Sequence, residues 1–186
     1  MNKKIGVLIY FLSFIIIVPF LFYVINISTI STNSQSISLS QGKVIYDLPY
    51  PGILPDNPLY SLKMIRDRMV DIATRDNTKK AELYLLYSDK RFASAIILAN
   101  KGKFSLAISS LSKGEKYFSK IPILVSEAKK QGVSPNQSFL YRLKLSNDKH
   151  KEIIEDITKQ PPQGEEVQFR TILEMNKIIK EELNKL

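Results

Sequence analysis

The sequence predicts an all-α protein in which an N-terminal transmembrane helix precedes a bundle of about five helices outside the cytoplasm. Residues 5–25 form a run of 21 side chains without a charge. From residue 58 onward, apolar residues recur at three- and four-residue spacing, as the packed face of a helix requires. Few β-branched runs alternate with polar residues, so we expect no sheet. Because the chain has no cysteine, its fold depends on packing, without disulfides or sulfur-ligated metals.

The apolar run at residues 5–25 is the predicted membrane anchor. At about 1.5 Å of rise per residue, such a helix crosses the roughly 30 Å hydrocarbon core of a bilayer. Lys3 and Lys4 precede the run and no charged residue follows it before Lys43. The positive-inside rule therefore places residues 1–4 in the cytoplasm and the rest of the chain outside the cell membrane. The positions that define this anchor are Ile5, Tyr10, Pro19 and Ile25.

A cleavable signal peptide is the alternative for the same run. Its apolar region is usually shorter and ends in a small-residue cleavage site of the Ala-x-Ala type. The residues after Ile25 contain no such site. We therefore favour an uncleaved anchor.

Residues 26–57 are predicted to form a tether, flexible at first and then rich in proline. Residues 26–42 consist mainly of Ser, Thr, Asn and Gln, which bury too little apolar surface to offset the entropy of ordering. Prolines at 49, 51 and 55 exclude a helix from residues 43–57. This part is expected to lie on the domain surface through Tyr46, Tyr50 and Leu54.

The helical domain is predicted at residues 58–186, with a hairpin-type core at 58–131 and C-terminal helices at 134–186. Asn57 is a suitable N-cap and Pro58 a suitable first residue for the first helix. This helix carries an apolar stripe formed by Leu59, Leu62, Ile65, Met69 and Ile72. On its opposite face the spacing predicts two exposed ion pairs, Lys63 with Asp67 and Asp71 with Arg75.

The remaining four helices follow from periodicity and helix-end signals. The second, at residues 77–101, has two apolar faces and is expected to be central in the bundle. Gly102 provides the left-handed turn that follows it. The third extends toward residue 131, and Pro122 predicts a break near Lys120. Proline pairs and capping residues delimit a fourth helix ending at Gln160 and a fifth from about Gly164 to Lys185.

One stretch resembles a known family. The run from Leu54 through Pro58-Leu59-Tyr60-Ser61-Leu62-Lys63, followed by Ala81-Glu82-Leu83 and Arg91-Phe92-Ala93, is similar to an uncharacterised bacterial domain-of-unknown-function family. That family is marked by Pro-Leu-Tyr-x-Leu-Lys before a helical hairpin of the pattern Ala-Glu-Leu…Arg-x-x-Glu-Ala. The resemblance covers about residues 54–118. The family-like positions are Pro58, Leu59, Tyr60, Leu62 and Lys63.

The resemblance implies a fold and a location but no activity. Members typically lie outside the membrane behind a single anchor, some in proteins that resemble anti-sigma regulators. In this chain Ser94-Ala95 stands where the pattern has Glu-Ala, and the predicted cytoplasmic part is too short to hold a sigma-binding domain. Direct control of a sigma factor is therefore not expected.

The sequence indicates no catalytic, cofactor or metal site. His150 is the one histidine; the flanking Lys149 and Lys151 disfavour its charged form, and with no cysteine partner it indicates neither a catalytic triad nor a zinc site. No glycine-rich phosphate loop is present. Three carboxylates share one helical face but are accompanied by lysines, so we interpret them as a solvated surface: Glu152, Glu155 and Asp156.

These observations predict a single-pass bacterial protein whose external helical domain binds another envelope protein, or acts as a sensory or scaffolding module. The alternative is a basic module that binds an anionic cell-wall polymer or lipid surface, and an envelope enzyme is a weaker alternative. Nucleic acid is not expected as a partner because no basic-aromatic motif is present; the oligomeric state stays open. The candidate anionic-partner patch comprises Lys113, Lys116, Lys120, Lys129, Lys130, Arg142 and Lys144.

Overall fold

The computed structural model describes residues 44–159 and 164–186, which belong to one compact unit. Within these two ranges the chain forms six α-helices and no β-strand, which confirms the all-α prediction. The helices are α1 (Tyr60–Ala73), α2 (Asn77–Asn100), α3 (Phe104–Phe118), α4 (Ile121–Lys130), α5 (Gln137–Thr158) and α6 (Glu166–Asn184). The predicted membrane anchor at residues 5–25 lies outside the described ranges. Of the helices inside them, none has the length and apolar character to span a bilayer.

Helix α2 is the central helix of the bundle, as its two apolar faces predict. It packs against α3, α4 and α5, and α6 packs against the same three helices from another side. Asp76 caps the N-terminus of α2 by accepting a hydrogen bond of 2.8 Å from the backbone N–H of Lys79. At the other end, Gly102 has a φ of +71°. This left-handed conformation lets the chain reverse into α3.

The third predicted helix is divided into α3 and α4, which confirms the break expected near Lys120. Helix α3 ends at Phe118 and α4 begins at Ile121, with Pro122 in its first turn, where the missing N–H leaves no helical bond unmade. The side chains of Phe118 and Ile121 are both fully buried. The break therefore turns the chain while both side chains stay in the core.

Two apolar clusters fill the two ends of the bundle. The first is formed by the C-terminal halves of α2 and α5 and the N-terminal halves of α3 and α6. The second is formed by the opposite halves of α2, α5 and α6, together with α4 and the end of α3. Neither cluster contains a residue of α1. The core is thus complete without this helix.

A layer of buried polar side chains separates the two clusters. On α2 it lies between Leu85 and Phe92, and on α6 between Ile172 and Ile179. We call this set the polar layer; its members are Asp89, Glu115, Ser146, Asn147, His150 and Asn176. Each of the four long helices α2, α3, α5 and α6 therefore contributes at least one polar group at mid-height of the bundle.

The segment before α1 packs on the bundle. The backbone N–H of Val44 donates to Glu152 Oε2 (2.9 Å), and the buried Leu48 joins the first apolar cluster. Tyr46 also contacts this cluster, as predicted. The prediction for Tyr50 was wrong, since it is 54 % exposed. Prolines on both sides fix the backbone at Tyr50, and Pro51 is buried in its place.

Helix α1 has the reverse of the orientation that its pattern suggests. Its apolar stripe faces outward, with exposure between 45 % at Met69 and 65 % at Ile72. Asp67 and Asp71, which were predicted to lie on the solvated face, are instead buried. The sequence pattern identified the two faces of this helix correctly, but it assigned them to the wrong sides.

The contacts under α1 give the physical reason for this orientation. The hydroxyl of Tyr84 donates to Asp71 Oδ1 (2.7 Å), and the hydroxyl of Tyr87 donates to the Asp67 carbonyl (3.1 Å). Buried hydroxyls require acceptors, so this side of α2 selects the polar face of α1. The predicted ion pairs are accordingly replaced. Asp67 pairs with Arg66 at 2.6 Å and Asp71 pairs with Lys80 at 3.4 Å.

Candidate functional site

His150 lies at the centre of the polar layer and is fully buried. Its imidazole stacks on the ring of Phe92, with 3.6 Å between centroids and 1° between planes, and the ring of Phe118 meets it edge-on at 5.1 Å. The flanking lysines point elsewhere, to Glu152 from Lys149 and to Glu155 from Lys151. The groups that face the imidazole are the carboxylates of Asp89 and Glu115 and not the neighbouring lysines. Residues adjacent in sequence on a helix point in different directions.

Asp89 is one of these two carboxylates and accepts three hydrogen bonds. His150 Nε2 lies 2.9 Å from Asp89 Oδ1, and the Ser146 hydroxyl donates to the same oxygen at 2.7 Å. The Tyr46 hydroxyl donates to Oδ2 at 2.6 Å. Burial and the Asp89 carboxylate raise the pKa of the Tyr46 hydroxyl, which therefore remains a donor. This cluster ties the segment before α1 to α2 and α5.

Glu115 is the second carboxylate and is fully buried. Asn176 Nδ2 donates to Glu115 Oε1 (2.9 Å) and to the backbone carbonyl of Asn147 (3.1 Å). Burial raises the pKa of the Glu115 carboxyl, while the neighbouring His150 and the Asn176 hydrogen bond act in the opposite direction. Glu115 thereby connects α3 to α5 and α6.

Ser146, His150 and Asp89 are the residue types of a hydrolytic triad, but their arrangement differs from one. In a triad the serine and the aspartate contact opposite nitrogens of the imidazole. Here Ser146 Oγ (3.3 Å) and Asp89 Oδ1 (2.9 Å) both contact Nε2. The serine hydroxyl already donates to Asp89, and it is fully buried. This geometry joins helices and does not activate a nucleophile.

The acidic face of α5 is paired with lysines. Glu152 contacts Lys149 at 2.7 Å, and Asp156 contacts Lys159 at 2.5 Å. Within residues 44–159 and 164–186, no group of three or more His, Cys, Asp or Glu side chains is arranged to hold a metal ion. A cavity of about 290 Å³ opens near this face. Its lining is mostly apolar, and its charged residues are the paired Asp156 and Lys159.

The family-like positions divide between the two faces of α1. Pro58, Leu59 and Leu62 are exposed. Lys63 turns inward and donates to the backbone carbonyls of Pro51 (2.7 Å) and Ile53 (3.2 Å).

Burial lowers the pKa of Lys63 to about 8. The ring of Tyr60 lies beside the Arg91 guanidinium, 5.2 Å from its centroid. The polar members of this motif therefore attach the proline-containing segment and α1 to the bundle.

All seven residues of the predicted anionic-partner patch are exposed. Lys113 and Lys116 lie one turn apart on α3, and Lys120 lies between α3 and α4 with its Nζ 5.2 Å from the Tyr84 ring. The Lys129 ammonium donates to the Leu186 carbonyl, and Arg142 lies over the Phe139 ring. The two remaining members, Lys130 on α4 and Lys144 on α5, have no ion-pair partner within the part of the chain that is described.

Sequence reasoning missed the polar layer because its members are spread over four helices. The sequence contained one signal for it. A polar residue interrupts the apolar stripe near the middle of the helix, as Asp89 does on α2 and Asn176 does on α6. The predicted anchor positions Ile5, Tyr10, Pro19 and Ile25 lie outside the described residues.

Comparison with known families is consistent with the resemblance noted above and extends it. A family model described as Domain of unknown function (DUF5667) matches residues 52–185, which include all six helices. No curated protein matches the chain. No solved structure matches it either. Because the family model covers more than half of the sequence, the chain belongs to the DUF5667 family, a domain of unknown function.

Proposed function

We propose that this chain is a single-pass bacterial membrane protein whose helical domain lies outside the cytoplasm and binds another envelope protein, as a scaffolding or sensory module. The anchor is residues 5–25, and the sequence pattern around Lys3 and Lys4 supports this topology. In this arrangement the six helices act as a binding platform beside the membrane.

The observation that carries this proposal is the closure of the polar layer. Asp89, Ser146 and His150 are at most 3 % exposed, and their polar atoms contact one another. A catalytic site requires its reactive groups to reach a substrate. Buried and hydrogen-bonded polar groups instead fix how helices pack against each other. Such a domain supports binding through its surface.

Topology is tested first, and the absence of native cysteine makes the test clean. Lys177→Cys places a thiol on the exposed side of α6, and Asn2→Cys places one before the predicted anchor. We expect a membrane-impermeant maleimide to label the first variant in intact cells and the second only after lysis. The reverse pattern would contradict the proposal.

Partner binding is tested by photocrosslinking in intact cells. A photoreactive phenylalanine derivative replaces Tyr141 on α5 (64 % exposed), and in a second strain it replaces Ile123 on α4 (62 % exposed). We expect one reproducible protein adduct at one of these positions and a different pattern at the other. Diffuse adducts of equal intensity at both positions would show random collision and would count against a dedicated partner.

A second candidate function is binding of an anionic cell-wall polymer or lipid surface by the predicted patch. It is favoured by Lys113 and Lys116, which are exposed one turn apart on α3. Binding of wall fragments is expected to weaken steeply as salt rises, and to fall in the variant with Lys113→Gln and Lys116→Gln. A matched control changes Lys79 and Lys177 to Gln. An equal loss of wall-fragment binding in both variants would show that binding depends on net charge and not on Lys113 and Lys116.

A further inference from the structure

The outer face of α1 is an apolar surface that no other described element covers. Its five stripe residues are the exposed hydrophobic residues Leu59, Leu62, Ile65, Met69 and Ile72. The inner face is held by polar contacts, among them the bond from Tyr84 to Asp71. Water disfavours this orientation because it leaves the most apolar face of the helix hydrated. The outer face of α1 is therefore suited to contact with an apolar environment that covers at least part of the stripe.

The exposed charged side chain that borders this stripe on α1 is an arginine. At 100° per residue Arg68 borders the stripe, and its side chain is 73 % exposed, although one guanidinium nitrogen lies 3.5 Å from Asp71 Oδ2. Arg66 is paired with Asp67, and the exposed Arg75 follows the end of the helix. The two aspartates of α1 are on the inner face. A second copy docked face to face would bring arginines against arginines, which is unfavourable. An anionic surface is complementary to this border.

Two lysines from other elements lie near the C-terminal half of α1. The Tyr84 ring lies beneath the Lys120 ammonium (5.2 Å), and the hydroxyl of the same tyrosine donates to Asp71 of α1. Lys80 also approaches this ring, at 6.0 Å, and pairs with Asp71. Lys80 is therefore engaged by Asp71 on the inner side of α1, whereas Lys120 is exposed close to it.

We propose that α1 lies flat on a bilayer that contains anionic phospholipids. The stripe enters the boundary between headgroups and acyl chains, as an interfacial amphipathic helix does. Arg68 at its border and Arg75 just after the helix end bind lipid phosphates, for which the guanidinium has matching geometry. The inference uses the anchor of the proposed function for proximity. Residues 26–43 separate the predicted anchor from the described domain. A linker of that length spans roughly 20–25 Å on average, and this distance keeps α1 near the membrane.

The chain contains no tryptophan, so a single introduced tryptophan reports its own environment. Ile65→Trp places the probe in the stripe (59 % exposed), and Ile178→Trp on α6 is the matched control (51 % exposed). The full chain is reconstituted into vesicles of phosphatidylglycerol and phosphatidylcholine that contain brominated acyl chains. We expect a blue shift and loss of most emission for the probe at position 65, and neither for the probe at position 178.

A second set of samples tests the arginines beside the stripe. Adding Arg68→Gln and Arg75→Gln to the Ile65→Trp chain is expected to reduce the quenching, as is replacing phosphatidylglycerol by phosphatidylcholine alone. Circular dichroism of each variant confirms that the helices are retained. Quenching that is equal at positions 65 and 178, or that is insensitive to both charge changes, would overturn the proposal.

A different occupant of the stripe would give a different result, and each of these results would also overturn the proposal that α1 lies on a bilayer. Shielding of the probe at position 65 that increases with protein density and is insensitive to bromine indicates a second copy. Shielding that appears only after addition of envelope extract indicates a protein partner. An error in the predicted membrane anchor can be distinguished from an error in the α1 proposal, because without an anchor an alkaline wash would release the whole chain from the vesicles. A chain that resists this wash but keeps the probe at position 65 in water contradicts the α1 proposal alone.

Discussion

His150 Nδ1 lies 3.9 Å from Glu115 Oε1 in the centre of the bundle. This distance is too long for a hydrogen bond. Neither Nδ1 nor Glu115 Oε2 has a hydrogen-bond partner among the residues that the structure describes. The pair is the least satisfied part of the polar layer, where α3 meets α5.

Glu115→Gln tests the effect of this carboxyl on stability. Burial raises the folded-state pKa of Glu115 above its ordinary value of 4.5. The stability linked to its proton is present below that ordinary pKa and is lost as pH rises through the raised one. We therefore expect the unfolding free energy of the native chain to fall relative to the variant above about pH 4.5. A difference of one between the folded-state and unfolded-state pKa corresponds to about 1.4 kcal/mol of unfolding free energy.

Urea unfolding followed by circular dichroism between pH 4 and 7 measures this difference. The exposed Glu127→Gln is the matched control and should give a pH profile parallel to that of the native chain. A constant offset between the native chain and Glu115→Gln across the range would show that Glu115 does not titrate in this window.

Gly114→Ala tests the close approach of α3 to α2. A Cβ at this position would lie 2.7 Å from Cε2 and 2.8 Å from Cδ2 of Phe92, whose ring cannot yield freely because it stacks on His150. We expect a loss of about 1–3 kcal/mol in unfolding free energy, as for other overpacked cores. Ser105→Ala, exposed on α3, should change it by less than about 0.5 kcal/mol.

The same contact allows a double-variant test. If the clash with Phe92 is the cause, Phe92→Leu should cost less in the Gly114→Ala chain than in the native chain. Additive losses would mean that Gly114 acts through the flexibility of α3 instead.

Tyr46→Phe removes the hydroxyl that donates to Asp89 Oδ2 (2.6 Å). Because the acceptor is a buried carboxylate, we expect a loss of about 1.5–3 kcal/mol in unfolding free energy. Faster hydrogen exchange in residues 44–57 should accompany it. Tyr50→Phe is the control, since that side chain is 54 % exposed. Similar effects of the two changes would exclude a specific role for the bond to Asp89.

Asp71→Ala leaves the Tyr84 hydroxyl without the acceptor that now lies 2.7 Å away. We expect a loss of about 1–3 kcal/mol, and faster amide exchange in α1 than in α2, because α1 contributes nothing to the apolar clusters. Asp148→Ala removes a carboxylate from an exposed pair with Lys180 and should cost less than about 1 kcal/mol. Uniform exchange across both helices would show that α1 and α2 unfold as one unit.

Periodicity predicted the order of the helices well because each long helix buries a stripe of its own, although the third predicted helix is divided into α3 and α4. Leu111 on α3, Leu143 on α5 and Ile172 on α6 lie in such stripes and are buried. Pro122 was sufficient to predict the break between α3 and α4, since its missing N–H is a local property.

The orientation of α1 could not be predicted in the same way. A helical pattern defines two faces, but the neighbouring surface decides which of them is covered. The hydroxyls of Tyr84 and Tyr87 select the polar face, and these residues lie on another helix. For the same reason His150 appeared isolated in sequence, because its partner Asp89 is separated from it by 61 positions along the chain.

The bond between Tyr46 and Asp89 has a practical consequence for truncated forms of this protein. The family match begins at residue 52, so a fragment cut to that boundary lacks both Tyr46 and the buried Leu48. Asp89 would lose the hydrogen bond that the Tyr46 hydroxyl donates, and the side of the first apolar cluster that Leu48 covers would be exposed to solvent. Expressed fragments that start at Val44 keep Tyr46 and Leu48, whereas those that follow the match lack both.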